Sequence, residues 1–536
     1  MKKAASTLRP DLNLVAVFAL TLAYTANASG PDDQAFPASF DLSQVVVRLE
    51  RGQCHHINCP EYAVEIRGDG AVAYEGKSSV LIEGNYNWTI PQADVAALID
   101  EFRKAGFFHL KDEYRSEANV ESRLTIANKT KTVSTSMGGS ICEPDAPTSS
   151  CVPERLLAMQ AAIDRFSRAT ELTQGNGRTI ALLEQTGFAF HSSFAASALL
   201  FALDKMNTEI AGELLSRGAP LNGGGLEPSM GKRTSLPAIL LVPATADVKL
   251  AQSMIVGGAL ADTSTRQLFL LSSAASGSAA MTKLALEHYP DVRKKPASYP
   301  WVVAAATANM QTEGTHWQEL YAKPEYALWK QNFDPPAVLR LLIAAGADPK
   351  AVDRDGNTAL HLVQSGASAQ VLLEAGADAN AVNDKGRTPL HEARRADLAL
   401  VLIRSGAQVS AKDLEGATPL FDCYDAKTAR VLLQAGADVK YRAADGSTAL
   451  FFQSDPETTA ALVEAGADVN ARLPGGLSAL ASASSTKSAL VILRAGAKVP
   501  DDPARLEKLL NWAAGNNDEV LLRELQDRAA SVTFSR

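Results

Sequence analysis

The stretch LLEAGADANAVNDKGRTPLHEA, residues 372–393, decides the fold. Its Gly376 has counterparts at Gly346, Gly406, Gly436, Gly466 and Gly496, a step of thirty residues each time. A fixed period of this size means stacked supersecondary units, each too small to bury its own hydrophobic face. The order within each unit is constant. Thr358, Thr388, Thr418 and Thr448 are placed to cap a helix with their hydroxyls. Pro389 and Pro419 take the next position, the first of a helix, where no amide hydrogen is needed. An apolar pattern follows, such as Leu360 and Leu362, then Val371, Leu372 and Leu373. The terminal glycine ends a second helix in a left-handed conformation. ADANAVNDKG, residues 377–386, then makes an extended turn to the next unit.

These residues resemble the ankyrin repeat, in G-x-T-P-L-H opening a unit and L-L-x-A-G-A-D-x-N-A closing it; the match is clear over 333–499. The resemblance implies an all-α solenoid of helix-turn-helix units, with finger-like turns along one side and a protein as partner. It also implies that His361 and His391 are structural, since the family places there a histidine that hydrogen-bonds between neighbouring units. The family period is about thirty-three. Here each capping threonine precedes its terminal glycine by eighteen residues, as in Thr358 to Gly376. The missing residues are those joining the two helices. A tighter corner and shorter helices are therefore expected, with the finger spacing unaffected.

The same grammar persists upstream in degraded form over 180–332. One unit ends at Gly218, another at Gly258, a weaker one covers 268–292, and a fourth is split by an insertion. That insertion carries Trp317, Tyr321, Tyr326 and Trp329. Residues 503–530 are expected to close the stack with a charged outer face. The solenoid is read as 180–530, about nine or ten units by motif.

The first third has a different grammar. SQVVVRLER, EYAVEIRGDGAVAYEG and RLTIANKTKTVSTSM alternate with a period of two, which marks strands, and Asp69-Gly70 marks a hairpin turn. PQADVAALIDEFRKAGFFHL puts Val95, Leu98, Ile99 and Phe102 on one helical face, with Pro91 suited to its first turn and Gly106 to its end. A second amphipathic helix opens at Pro153. Strands followed by helices point to a small α+β domain over 36–170, and TQGNGRT within 171–179 reads as the linker. The domain resembles an uncharacterised family of exported bacterial domains. Cys54, Cys59, Pro60, Tyr62 and Gly68-Asp69-Gly70 carry that likeness, over about 40–166. The family often spaces its cysteines by three residues, where this chain has four. The resemblance implies fold and location, and no activity.

The chain opens MKKAASTLRPDLNLVAVFALTLAYTANASG: a basic start, an apolar run over 12–24 and a small-residue cleavage pattern at Ala26-Asn27-Ala28. This reads as a signal peptide over 1–28, cut after Ala28, with an uncleaved anchor as the alternative. A periplasmic or secreted location follows, with no membrane insertion after cleavage. The formal charge is −8, and removing Lys2, Lys3, Arg9 and Asp11 with the signal takes it to −10. That charge argues against sequence-blind binding of nucleic acid, which needs a basic face to displace counterions.

Of five cysteines, Cys54, Cys59, Cys142 and Cys151 lie in the first third. Export favours disulfides Cys54–Cys59 and Cys142–Cys151, with cross-pairing between the two loops open. The alternative is a metal- or redox-handling loop of Cys54, His55, His56 and Cys59. Cys423 falls within a first helix and is expected to pack as a small apolar residue.

Enzyme motifs fail. The glycine-rich run before Gly231-Lys232 has the wrong phosphate-loop spacing, and Arg233 stands where Ser or Thr is needed. Ser484-x-x-Lys487 lies inside a repeat without its companion motifs. No catalytic residue, cofactor or metal site is assigned. The expected function is a non-enzymatic protein-binding scaffold. An inhibitor or immunity-type factor for one exported enzyme is the alternative within that class. Candidate contact residues are those at the finger turns where no packing rule fixes the side chain: Arg354, Asp355 and Asn357; Asp384, Lys385 and Arg387; Leu414 and Glu415; and Asp445. Trp317 and Trp329 of the insertion are further candidates, because Trp and Tyr are enriched at binding hot spots.

Overall fold

The computed structural model describes residues 40–54, 60–110, 112–116, 118–126, 129–137, 154–222, 237–289, 331–423, 425–500 and 502–533, with Phe36, Val292 and Ala305. The signal segment, His55, His56, Cys59, Cys142, Cys151, Trp317 and Trp329 lie outside these residues. The chain divides into two compact units: Met1–Phe201 with two short later segments, and the remainder.

The first unit is built on a seven-stranded sheet. Its strands are β1 (Val45–Cys54), β2 (Glu61–Arg67), β3 (Ala71–Ser78), β4 (Gly84–Thr89), β5 (Glu113–Ser116), β6 (Ala118–Ile126) and β7 (Lys129–Met137). They run in the order β4-β3-β2-β1-β6-β7-β5. Every pairing is antiparallel except β5 with β7. The period-two patterning does what it promised. Val45, Val47 and Leu49 of β1, Val64 and Ile66 of β2, and Leu124 and Ile126 of β6 are fully buried. Two helices supply the other half of the core. Helix α1 (Gln92–Lys104) buries Val95, Leu98, Ile99 and Phe102, and starts directly after Pro91. Helix α2 (Glu154–Ser167) buries Leu156, Met159 and Ile163.

The segment read as a linker is part of this unit. Helix α3 (Ala169–Thr173) buries Leu172 and Thr173. The amides of Leu81 and Ile82 donate to the Thr173 and Leu172 carbonyls at 3.0 and 2.9 Å. Thr179 Oγ1 donates to the Glu171 carbonyl at 2.8 Å. The glycine-bearing composition of 173–179 marks a turn held down by backbone bonds, and composition alone does not separate that from a free linker.

The described residues of the second unit are helix and turn, with isolated β-bridges pairing Ser278 with Phe333, Val352 with Thr358 and Arg472 with Ser478. Five of the clear repeats have a second helix of nine residues, Gly366–Glu374, Ala396–Arg404, Ala426–Gln434, Pro456–Glu464 and Thr486–Arg494, and the first, Pro335–Ala344, has ten. The first helices are single turns: Ala359–Leu362, Pro419–Asp422, Ala449–Phe452 and Ala479–Ser482. Two of the four are 3-10 turns. The three-residue shortening therefore falls on the first helix and its corner. The second helices keep their apolar stripes, so Leu372, Leu402, Leu432, Leu462 and Ile492 form a continuous buried row. Each second helix ends at a glycine with φ between +88° and +96°, from Gly346 to Gly496. Gly258, and Gly218 in the first unit, share that conformation, φ +92° and +88°. The last two helices, Pro503–Gly515 and Glu519–Thr533, bury Leu509, Ala513, Leu521 and Leu525 and leave Glu507, Lys508, Arg523 and Asp527 outside, as a terminal cap requires.

Candidate finger surface

Three successive fingers are tight turns, each fastened by one side chain. Asn383 Oδ1 accepts from the amides of Lys385 and Arg387, both at 3.0 Å. Asp353 does the same for Asp355 and Asn357 at 2.9 and 2.8 Å, and Asp413 for Glu415 and Ala417 at 3.0 and 2.8 Å. Successive fingers are then joined through the backbone. Asp384 N–H donates to the Asp355 carbonyl and Leu414 N–H to the Lys385 carbonyl, both at 3.1 Å. These bonds occupy the turn amides, and the side chains of the two tip residues face solvent.

The histidines lock the units together. The Thr358 amide donates to His361 Nδ1 at 3.1 Å, which makes Nε2 the N–H-bearing nitrogen. Nε2 meets the Arg387 carbonyl, in the following unit, at 2.9 Å. His391 repeats the arrangement with Thr388 and the Ala417 carbonyl, at 3.0 and 3.2 Å. Burial holds both imidazoles below their usual pKa and hence neutral. The Thr358 and Thr388 hydroxyls pair with these rings at 2.9 Å. In the units lacking the histidine, Thr448 Oγ1 is buried without a partner.

The structure sorts the sequence candidates. Arg354, Asp355, Asp384, Lys385, Leu414, Glu415 and Asp445 are exposed on the tips. Asp445 also serves its own turn, accepting from Ser447 N–H and Oγ at 2.8 and 2.6 Å. Asn357 is half-buried and bridges two fingers: its Nδ2 donates to Asp353 at 3.0 Å and its Oδ1 accepts from Asn383 Nδ2 at 2.8 Å.

Arg387 is not a tip side chain. It is only 19% exposed and lies 2.7 Å from Glu392, 2.8 Å from Asp422 and 3.8 Å from Asp413. Nη2 also donates to the His391 carbonyl at 3.2 Å. Asp422 Oδ2 is buried without an aligned hydrogen-bond donor, so its contact with Arg387 is Coulombic more than directional. Burial raises the Asp422 carboxyl above its usual range, and Arg387 pulls against that shift. The residue-after-glycine position varies in sequence, which suggested surface; three acids from two units close over it instead.

Two features were missed in sequence. The first is a column of side chains two residues before each tip: Val352, Val382, Lys412, Arg442 and Arg472, all exposed. Its spacing is as regular as that of the glycines. The second is a buried polar cluster in the first unit. Arg51 falls on the same face of β1 as Val45, Val47 and Leu49. Its Nε donates to Tyr62 Oη at 2.9 Å and its Nη2 to Asp164 at 2.7 Å. Tyr62 Oη in turn donates to Asp164 at 2.5 Å. Burial pushes the Tyr62 phenol far above its usual pKa, with Arg51 opposing, so it acts as a donor. The cluster ties β1, β2 and α2 together, and Tyr62 is a residue of the Cys-x4-Cys-Pro-x-Tyr motif.

Comparison with known proteins agrees with this layout. Residues 45–166 match a family described as "Domain of unknown function (DUF6438)". Residues 326–413 match the ankyrin repeats, in the three-copy form. The chain carries ankyrin repeats. A similar solved structure is "Crystal structure of the ankyrin repeat domain of Bcl-3: a unique member of the IkappaB protein family". It is 25% identical, and the alignment covers 42% of this chain and 97% of that one, with a TM-score of 0.30. No curated protein matches. No helix among the described residues is long and apolar enough to cross a membrane.

Cys423 is buried, and its Sγ donates to the Leu420 carbonyl at 3.1 Å. It packs as the small apolar residue the repeat register calls for.

Proposed function

We propose that the chain is an exported, non-enzymatic scaffold that holds another protein on its ankyrin fingers. The observation that carries this reading is the division of labour in three successive turns. Asp353, Asn383 and Asp413 fasten the backbone, while Arg354, Asp355, Asp384, Lys385, Leu414 and Glu415 face solvent and differ from unit to unit. A rigid backbone presenting variable side chains reduces the ordering cost of binding. Export rests on the opening 28 residues and on the likeness of the first domain to exported bacterial domains.

The experiment is chemical crosslinking and co-purification from the periplasm, comparing wild type with Arg354→Glu/Lys385→Glu. A stoichiometric protein partner that the variant loses supports the reading. Absence of any partner from both periplasm and medium refutes the scaffold. Stoichiometric zinc or copper, with Cys54 and Cys59 reduced, replaces it with metal handling.

A further inference from the structure

The column Val352, Val382, Lys412, Arg442, Arg472 places three cations in register on three consecutive fingers of a chain whose net charge is −8. The tip positions beside it run Asp355, Lys385, Glu415 and Asp445, with no such run of one cationic sign. Acids elsewhere in the fingers have work in the turns: Asp438 and Asp468 each accept from the amide two residues on, at 2.9 and 3.0 Å. Arg442 and Arg472 are laid across their own hairpins by bonds to the Gly446 and Gly476 carbonyls at 3.2 and 3.4 Å. Asp468, at 3.0 Å, neutralises part of Arg442, whose side chain is still 43% exposed.

An aromatic path leads from this column. Lys412 Nζ stands 4.7 Å from the centroid of the Tyr441 ring. Tyr441 meets Phe421 edge-on at 6.1 Å, held by a 3.0 Å bond from its hydroxyl to the Gly416 carbonyl. Phe421 is buried and lies 5.8 Å from Phe452. Phe452 is 59% exposed. Its ring is supported from below and open above, at the end of a single-turn first helix.

We infer that Lys412, Arg442, Arg472 and Phe452 form one docking surface for an extended acidic peptide segment that seats an aromatic or large aliphatic side chain on Phe452. This rests on the protein-binding reading and narrows it to a partner chemistry. Charge in a column steers and orients an acidic chain, and a supported aromatic ring supplies the desolvated centre that charges alone lack. A polyanion such as single-stranded nucleic acid shares the charge requirement. It is disfavoured by the protein's net negative charge and by a column that continues into Val382 and Val352.

The test is selection from a random linear-peptide display library on full-length protein. Wild type is compared with Phe452→Ala, with Lys412→Glu/Arg442→Glu/Arg472→Glu, and with the milder Lys412→Gln/Arg442→Gln/Arg472→Gln set. The Gln set keeps the test valid if the Glu set fails to fold. On wild type the enriched peptides should share two or more acids flanking an aromatic or large aliphatic residue. Their synthetic forms should lose affinity at least about tenfold on the Gln set and on Phe452→Ala, and weaken with salt. A neutral or basic consensus, equal binding by the variants, or no enrichment overturns the inference. So does an oligothymidine that binds wild type as well as the best peptide. Periplasmic partner retained by the Gln set removes this surface and leaves the scaffold reading standing; no peptide and no partner removes both.

Discussion

Two glycines in one array should cost different amounts when given the same methyl group. Gly406 ends a second helix at φ +88°, and a Cβ built there meets nothing within 4 Å. Gly406→Ala is therefore a pure backbone penalty of about 1–2 kcal/mol. Gly356 sits in a finger turn at φ +74°, and its Cβ would lie 2.6 Å from Asp384 Oδ1 and 2.9 Å from the Asp384 backbone nitrogen. The carboxylate can swing away, but the amide is fixed by its 3.1 Å bond to the Asp355 carbonyl. Relieving the clash means moving the neighbouring finger, an overpacking cost of about 1–3 kcal/mol on top of the same backbone penalty. Gly356→Ala should thus destabilise by about 2–5 kcal/mol, against about 1–2 for Gly406→Ala. Urea unfolding gives the totals. Amide hydrogen exchange locates them, since protection at Asp384 should fall in the Gly356 variant and persist in the other. Equal costs, or an unchanged Asp384 amide in Gly356→Ala, would refute the reasoning.

Arg387→Leu should destabilise by about 2–4 kcal/mol, because Glu392, Asp413 and Asp422 are left facing one another, and adding Asp422→Asn should recover part of it; a change within noise in urea unfolding rejects the network. Acid should loosen the units around the two histidines. Their folded pKa lies below the unfolded value of 6.5, so their contribution is complete above about pH 6.5 and declines below it. The slope should reach up to about 1.4 kcal/mol per pH unit for each ring. Replacing His361 and His391 by Phe, the residue found at Phe421 and Phe451, should abolish that part of the slope; a variant that keeps it refutes the assignment. Burial drives the Cys423 thiol up to about 12, so it should resist alkylating reagents at neutral pH until urea unfolds the array, and fast labelling of the native protein contradicts the packing. Non-reduced peptide mapping of exported protein should find Cys54–Cys59 and Cys142–Cys151; free thiols there argue against an oxidising destination.

The repeat was legible because its signals are local. A capping threonine, a left-handed glycine and an apolar stripe each act within one turn of chain, and a period of thirty multiplies them. The corner shortening was legible for the same reason, by counting from Thr358 to Gly376. Five of the sheet's seven strands were readable from alternation, the short β4 and β5 were not, and the order was not, since β1 pairs with β6 across more than half the domain. The binding candidates divided along the same line. Arg354 and Lys385 are where the turn pattern puts them. Arg387 is enclosed by acids from its own unit and the next, and that enclosure has no local signature. The Arg51–Tyr62–Asp164 cluster joins residues 113 apart in the chain, so an arginine in register with the buried face of β1 was its only trace. The cationic column is visible in principle: Lys412, Arg442 and Arg472 follow the same thirty-residue register as the glycines.

The histidine bridges have a direction. His361 and His391 each bring the donor, and the following unit contributes a backbone carbonyl, at Arg387 and Ala417. A carbonyl is present whatever residue occupies the position, so the contact asks nothing of the neighbour's sequence. Loss of the unit that follows strands a buried N–H; loss of the unit that precedes frees a carbonyl that water can satisfy. The joint therefore sets no side-chain requirement on the unit that follows, since any unit presenting its backbone carbonyl at that place closes it, whereas the unit that precedes must keep both the histidine and its capping threonine.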